Sequence, residues 1–246
     1  MACIHRYKAV IFDLDGTLMD TLDDLGAAVN AALDAHGFPG HTRAEYSGMV
    51  GHGVRNLVHR ALPEGVSASI EDACFDAFME YYTSHLDVYT RPYPGMVELL
   101  QELDAAGVKL AVASNKFQSG AEYLVRKYFP GIPFVAILGN APGLPLKPDP
   151  AIVETVLKAC GDEISPLASL GRDDKEGLGR DDSSVISSRA EGEVEKSQVA
   201  LVGDSLTDMR TAANAGITGI AVNWGYRDMS EHSPLANTPA ELHSLL

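Results

Sequence analysis

Short apolar runs rich in β-branched residues recur along this chain of 246 residues, and segments with helical periodicity separate them. The five clearest runs are residues 8–13, 108–114, 134–139, 199–204 and 219–223. Because parallel strands need long crossover connections, strands that alternate with helices are typical of a parallel α/β sheet. Ligands bind such sheets at the edge formed by the carboxyl ends of the strands. The residues that follow each run are therefore the first candidates for a functional site.

Two carboxylates close the first run, where residues 8–12 lead directly into Asp13-Leu14-Asp15. A strand places residues i and i+2 on the same side, so Asp13 and Asp15 are expected to face one small volume while Leu14 turns into the interior. Neighbouring carboxylates repel each other unless a cation holds both or one is protonated. Either arrangement suits a carboxylate nucleophile with a neighbour that transfers protons. The alternative is an acidic loop that only ends a strand.

Three further polar motifs follow in a set order, and their key residues are Ser114, Asn115, Lys147, Asp204 and Asp208. Together with residues 12–18 (Phe-Asp-Leu-Asp-Gly-Thr-Leu), they resemble the four ordered motifs of the haloacid dehalogenase superfamily of phosphotransferases. The resemblance extends over most of the chain. It implies a Rossmann-like parallel α/β sheet core with a small helical cap domain inserted after the first motif.

The resemblance also implies a role for each motif residue. Asp13 is the expected nucleophile, which forms an aspartyl-phosphate, and Asp15 is the expected general acid and base. Lys147 is expected to stabilise the transferring phosphoryl oxygens, and Ser114 and Asn115 to donate hydrogen bonds to them. The alternatives are a supporting metal-site role for Asp13, a purely structural Asp15 and a surface Lys147.

A magnesium ion is the implied cofactor, because the acidic residues form an all-oxygen donor set. The expected ligands are Asp13, the backbone carbonyl of Asp15, and Asp204. Asp208 lies four residues after Asp204, so a helical turn brings the two together. Asp208 is expected either to contact the metal through water or to orient Lys147, and the alternative is an acid that only favours the helix dipole.

The segment between the first two motifs changes character, because helical periodicity dominates residues 19–91. We predict that this segment is the cap domain and that residues 1–18 and 92–246 form the core. Gly51, His52, Gly53 and Arg55 resemble the specificity loop of the subgroup of phosphoglycolate phosphatase-like enzymes. This resemblance implies that they bind substrate, His52 and Arg55 by reaching its carboxylate. An ordinary surface loop is the alternative.

Residues 162–198 do not fit the alternating pattern, because they are rich in Asp, Glu, Ser, Gly and Arg. Such a composition buries too little apolar area to offset the entropy of ordering. We predict a flexible acidic insert, with a regulatory or partner-binding segment as the alternative.

The next helix after the second motif is predicted to be capped by Ser119, which leaves Ser114 and Asn115 in a loop.

The net charge of −15 argues against nucleic acid or an anionic membrane as a partner, since both would be repelled. No apolar stretch is long enough to cross a bilayer, and the first residues lack a signal-peptide pattern. The three cysteines show no disulfide or zinc spacing. We therefore predict a cytoplasmic protein with reduced thiols, either a monomer or a homodimer.

These observations predict a magnesium-dependent phosphomonoester hydrolase that acts on a small phosphorylated metabolite resembling phosphoglycolate. A phosphosugar mutase of the β-phosphoglucomutase type shares the core motifs and is one alternative. A non-catalytic binding protein with the same fold is the other. The intact Asp13, Asp15, Lys147 and Asp204 favour an enzyme.

Overall fold

The structure, a computed structural model, describes residues 6–162 and 194–246. Its strands in chain order are β1 (Ala9–Phe12), β2 (Met19–Asp20), β3 (Arg91–Pro92), β4 (Lys109–Phe117), β5 (Phe134–Asn140), β6 (Val199–Gly203), β7 (Thr218–Val222) and β8 (Leu235–Ala236). Six of them form one parallel sheet in the order β5-β4-β1-β6-β7-β8, and β2 pairs antiparallel with β3. The five predicted runs coincide with β1, β4, β5, β6 and β7, so the predicted parallel α/β sheet is confirmed. The short β8 and the β2–β3 ribbon were not predicted.

The helices of the described residues are α1 (Leu22–Ala35), α2 (Arg43–Met49), α3 (Val54–Ala61), α4 (Ala68–Ser84), α5 (Met96–Ala105), α6 (Gln118–Tyr128), α7 (Ala151–Asp162), α8 (Leu206–Ala215) and α9 (Pro239–Leu245). Helices α5, α6 and α9 contribute to the apolar layer on one face of the sheet, and α7 and α8 to the layer on the other. Strand β1 alternates between them, with Val10 and Phe12 in the first layer and Ala9 and Ile11 in the second. Burial on both faces explains why the strands read as continuous apolar runs.

Helices α1 to α4 bury an apolar cluster of their own, which includes Leu25, Tyr46, Leu57, Phe78 and Tyr82. The β2–β3 ribbon lies where the chain leaves the sheet for these helices and where it returns. The helical character predicted for this segment is present, and its assignment as a cap domain over residues 19–91 stays a prediction.

Ser114 and Asn115 lie in a strand and not in a loop. Strand β4 continues through Ser114 and Asn115 to Phe117, and α6 begins at Gln118, so Ser119 lies inside the helix and does not cap it. The prediction that these two residues lie in a loop is therefore wrong. Residues 163–193 of the predicted insert lie outside the described residues.

Within the described ranges, no helix combines the length and the apolar character needed to cross a bilayer.

Candidate active site

The predicted motifs meet at the carboxyl edge of the sheet because β4, β1 and β6 are neighbours. Phe12 pairs in register with Val112 on one side and with Val202 on the other. Asp13 follows β1 directly, and its backbone N–H donates to the carbonyl of Val202 at 2.9 Å. Asp204 directly follows β6, as Asp13 follows β1. Parallel register therefore places side chains that are about 190 residues apart in sequence at one edge.

Lys147 is the central cation of this edge. Its Nζ lies 2.9 Å from Oδ1 of Asp13 and 2.6 Å from Oδ1 of Asp208, and it donates to the carbonyl of Ala113 at 2.8 Å. The lysine side chain is 2% exposed. Burial lowers its pKa, but the negative charges of Asp13 and Asp208 outweigh burial and raise the pKa above its ordinary value. Lys147 is therefore a permanently charged partner of both carboxylates.

Asp13 is bound to the protein through one of its two carboxylate oxygens. Oδ1 accepts from the backbone N–H of Leu14 at 2.7 Å and pairs with Lys147. Within the described part of the chain, Oδ2 accepts no hydrogen bond. Asp13 is 9% exposed and lines a cleft, whereas Leu14 is fully buried. The carboxylate is therefore held by one oxygen and accessible through the other.

Asp208 is held on both of its oxygens. Oδ1 pairs with Lys147, and Oδ2 accepts the hydroxyl of Ser205 at 2.5 Å. Ser205 is the N-cap of α8, and its hydroxyl oxygen accepts a hydrogen bond from the backbone N–H of Asp208. Of the two predicted roles for Asp208, the contacts favour the orientation of Lys147 over a contact with the metal through water.

The acidic residues can hold a divalent cation. Carboxylate oxygens of Asp13, Asp204 and Asp208 lie within 4.8 Å of one another. Burial and the negative charge of Asp208 raise the pKa of Asp13 to about 8. The same two causes raise the pKa of Asp204 to about 7. The raised pKa values mean that ionisation of these carboxyl groups is unfavourable without further positive charge. A hard cation such as Mg²⁺ supplies positive charge and prefers oxygen ligands.

Asp15 is held by contacts that sequence reasoning missed. Its Oδ1 accepts from the hydroxyl of Thr21 at 2.7 Å and lies 3.2 Å from Nζ of Lys116. The Lys116 side chain is fully buried and also donates to the hydroxyl of Tyr82, on helix α4. Residue 116 directly follows Ser114 and Asn115, and all three line the cleft because the pairing of β4 with β5 shifts register between Ala113 and Phe117. The contact with Tyr82 depends on tertiary structure alone.

A second set of missed residues lies in the loop after β7. The backbone N–H of Tyr226 donates to Oδ2 of Asp204 at 2.8 Å, and the Tyr226 hydroxyl accepts from the backbone N–H of Thr21 at 2.7 Å. Trp224 Nε1 donates to the carbonyl of Thr17 at 3.1 Å. A Cβ at Gly225 would lie 2.3 Å from Cβ of Asp204, so this approach requires glycine. The loop is thus packed against the first and fourth motifs.

Asn115 joins the core to the loop that carries Gly51. Its Nδ2 donates to the carbonyls of Gly51 at 3.0 Å and Lys147 at 3.2 Å, and its Oδ1 accepts the backbone N–H of Lys147 at 2.8 Å. Ser114 is buried, and its Oγ accepts the backbone N–H of Lys116 at 3.2 Å, so its hydroxyl proton stays available. The contacts of Asn115 suit positioning of Lys147 and of the loop.

Only part of the predicted specificity loop lines the cleft. Gly51 and Gly53 line the cleft. His52 is exposed and lies outside the cleft lining. Arg55 pairs with Asp72 at 2.7 Å, and its guanidinium lies 4.0 Å from the centre of the Phe75 ring. The structure therefore does not bring His52 and Arg55 to the cleft, and helix α4 supplies both partners of Arg55.

The cleft lies between this edge of the sheet and helices α1 and α3. The core contributes polar and charged lining residues, which are Asp13, Asp15, Ser114, Asn115, Lys116, Asp204, Ser205, Tyr226 and Arg227. The helical segment contributes apolar residues and glycines, which are Leu25, Val50, Gly51, Gly53, Val54 and Leu57. The charged groups of the cleft therefore belong to the core, and the helical segment supplies its apolar wall.

This fold and this edge of carboxylates define a hydrolase of the haloacid dehalogenase-like class. A family model described as haloacid dehalogenase-like hydrolase matches residues 7–216. The chain belongs to this family, which confirms the resemblance drawn from the four motifs and the prediction of an enzyme.

Relatives and solved structures agree with this membership. The phosphoglycolate phosphatase of Neisseria meningitidis is 33% identical, and the match covers 93% of this chain and 86% of the relative. That of Mesorhizobium japonicum is 31% identical over 89% of this chain and 84% of the relative. A crystal structure from Lactobacillus delbrueckii subsp. bulgaricus is similar with a TM-score of 0.80, 29% identity and 98% of both chains covered. A haloacid dehalogenase-like family protein from Streptococcus pneumoniae has the same fold, with a TM-score of 0.74 and 97% of this chain and 98% of that chain covered at 19% identity.

Proposed function

We propose that the protein is a magnesium-dependent phosphomonoester hydrolase that acts on a small phosphorylated metabolite through an aspartyl-phosphate. The observation that carries the proposal is the carboxylate of Asp13, which faces the cleft with one oxygen bound to Lys147 and with Asp204 within metal-binding reach. Relatives that bear the name phosphoglycolate phosphatase support a substrate of the phosphoglycolate type.

Asp13, Asp204 and the backbone carbonyl of Asp15 would hold Mg²⁺, with Asp208 orienting Lys147. When bound, the ion supplies positive charge that stabilises the transferring phosphoryl group. The charge count favours this cofactor. With Asp15 protonated for its role as the acid, the carboxylates Asp13, Asp204 and Asp208 equal the site cations Lys116, Lys147 and Arg227 in number, so a phosphate dianion needs a further cation.

The side chains support a two-step transfer. Oδ2 of Asp13 attacks phosphorus, the bond from phosphorus to the ester oxygen breaks, and Asp15 protonates the departing alkoxide. Asp15 then removes a proton from a water molecule, which attacks the aspartyl-phosphate and releases phosphate. Because Thr21 and Lys116 both bind Oδ1 of Asp15, its Oδ2 remains for proton transfer. Ser114 and Lys147 stabilise the phosphoryl oxygens.

Measurement of phosphate released from a panel of phosphate esters tests this function directly. We expect release with Mg²⁺, loss of release with excess EDTA, and recovery when Mg²⁺ is restored. A protein that isomerises phosphosugars without net release would be a mutase. A protein that binds esters without turning over any of them would be the non-catalytic alternative.

The role of Asp15 predicts a dependence on the leaving group. Asp15→Asn should slow hydrolysis of an alkyl phosphate by about 10²- to 10⁴-fold. It should slow hydrolysis of a nitrophenyl phosphate far less, because that leaving group needs no protonation. The measurement is kcat for both esters. Asp20→Asn, which changes a carboxylate that pairs with Arg43 outside the cleft lining, is the control. Equal losses for both esters would contradict the acid role.

A further inference from the structure

We propose that Arg227 determines substrate specificity by binding a second anionic group, a carboxylate, on the alcohol side of the phosphate ester. The inference rests on the proposed function, which identifies the ester but not the residue that recognises its alcohol part. Arg227 belongs to none of the four motifs. It lies in the loop after β7 and lines the cleft.

The backbone that carries Arg227 is fixed next to the reactive groups. Tyr226 precedes Arg227 in the chain. Its backbone N–H donates a hydrogen bond to Asp204, and its hydroxyl accepts one from the backbone N–H of Thr21. The close packing of Gly225 on Asp204 restrains the loop further. Because this backbone is fixed, little conformational entropy is lost when the Arg227 side chain binds a ligand in the cleft. Such preorganisation suits a residue that determines specificity.

The guanidinium is only partly engaged. It donates to the carbonyl of Val50, directly before the predicted specificity loop. Nη2 would lie 3.0 Å from a Cβ at Gly51, so the absence of a side chain at Gly51 makes room for the guanidinium. No carboxylate among the described residues forms an ion pair with Arg227. An arginine has five N–H donors, so donors and a full positive charge remain for a ligand.

The other cations near the cleft are already matched with carboxylates. Lys147 pairs with Asp13 and Asp208. Lys116 pairs with Asp15, and its side chain is fully buried. Arg227 is half-buried, and among the described residues no carboxylate contacts it directly, although its charge acts on Asp204 and lowers the pKa of that carboxyl. It is therefore the cation that gains most from an anionic ligand group.

The surroundings of Arg227 reinforce its positive potential. Burial lowers the pKa of His52, and the positive charges of Arg227, Arg60 and Arg210 lower it further. This local excess of positive charge is notable in a chain with a net charge of −15. A planar guanidinium can bind a carboxylate through two parallel hydrogen bonds, which a neutral hydroxyl group cannot match.

The test compares phosphoglycolate with 2-hydroxyethyl phosphate, which replaces the carboxylate by a neutral hydroxymethyl group. The measured quantity is the ratio of kcat/KM for the acidic ester to that for the neutral one. In Arg227→Met this ratio should fall about 10- to 100-fold, mainly through KM for phosphoglycolate. Arg227→Lys should recover part of the ratio, because the charge remains and the planar fork is lost.

Arg60→Met is the matched control, because Arg60 also donates to a backbone carbonyl next to this loop, that of Met49 at the end of α2, but lies outside the cleft lining. It should lower the ratio far less than Arg227→Met, because its charge acts on the cleft only from outside the lining. If Arg227→Met lowers kcat/KM equally for both esters, Arg227 only holds the loop in place and the inference is wrong. If the native protein shows no preference for the acidic ester, the inference is also wrong while the proposed function stands. If neither ester nor any other phosphate ester is hydrolysed, the proposed function fails and this inference with it. Thermal melting of each variant confirms that it is folded.

Discussion

Asp13→Asn should reduce kcat by more than about 10⁴-fold for every phosphate ester, because an amide is nearly isosteric with a carboxylate but far less nucleophilic. The structure adds an expectation about stability. Burial and Asp208 raise the pKa of Asp13 to about 8 in the protein without metal, so a neutral side chain suits this position near neutral pH. The melting temperature of the metal-free variant should therefore stay at or above that of the native protein.

The control for Asp13→Asn is Asp24→Asn, which changes a buried aspartate outside the cleft. Asp24 accepts the backbone N–H groups of Tyr89 and Thr90 near the return from the helical segment. This variant should lose stability but keep kcat within a few-fold of the native value. Substantial turnover by Asp13→Asn, with phosphate released at more than a few per cent of the native rate, would contradict the nucleophile assignment.

Lys147→Met should damage both activity and stability. The variant leaves Asp13 and Asp208 buried without the cation that lies 2.9 Å and 2.6 Å from them. Removal of one partner from a buried charge network costs about 3 kcal/mol, which lowers Tm by about 6–12 °C in a chain of this size. We expect kcat to fall about 10²- to 10³-fold, because Lys147 also stabilises the phosphoryl oxygens. Calorimetry and steady-state kinetics measure the two effects.

Lys127→Met is the matched control for Lys147→Met. Lys127 also pairs with a carboxylate, that of Asp87, but on the surface. Solvent screens such a pair, so its loss should change neither Tm nor kcat appreciably. Equal changes in Tm for the two variants would show that Lys147 is not a buried network cation. An unchanged kcat for Lys147→Met would remove Lys147 from the proposed mechanism.

The residues that the sequence identified best are those whose local position decides their environment. Asp13 and Asp204 each follow a buried strand, and adjacent parallel strands end at one edge, so strand recognition alone was enough to bring them together. Ser114 was placed at the same edge for the same reason, although β4 extends three residues beyond it. Ser119 resembled an N-cap because the sequence pattern does not show that α6 begins directly after this strand.

The residues that the sequence missed or misplaced depend on contacts between distant segments. Tyr82, on α4, binds Lys116 across 34 positions of sequence, and Tyr226 binds Thr21 across 205. Arg55 was expected to reach a substrate from its position two residues after Gly53. Its side chain is instead satisfied by Asp72, on the next helix, which no local pattern encodes.

The parallel α/β sheet, the membership of the haloacid dehalogenase-like hydrolases and the edge at which the acidic motifs meet could all be predicted from the sequence. These follow from periodicity and from the order of short motifs, which are local properties of the chain. Tertiary structure alone decided that Lys147 bridges Asp13 and Asp208, that Lys116 holds Asp15, and that Arg227 lines the cleft in place of Arg55. The physical reason is that side-chain charges and hydrogen bonds are matched in space, where burial removes competing water, and separation along the chain does not determine which groups meet.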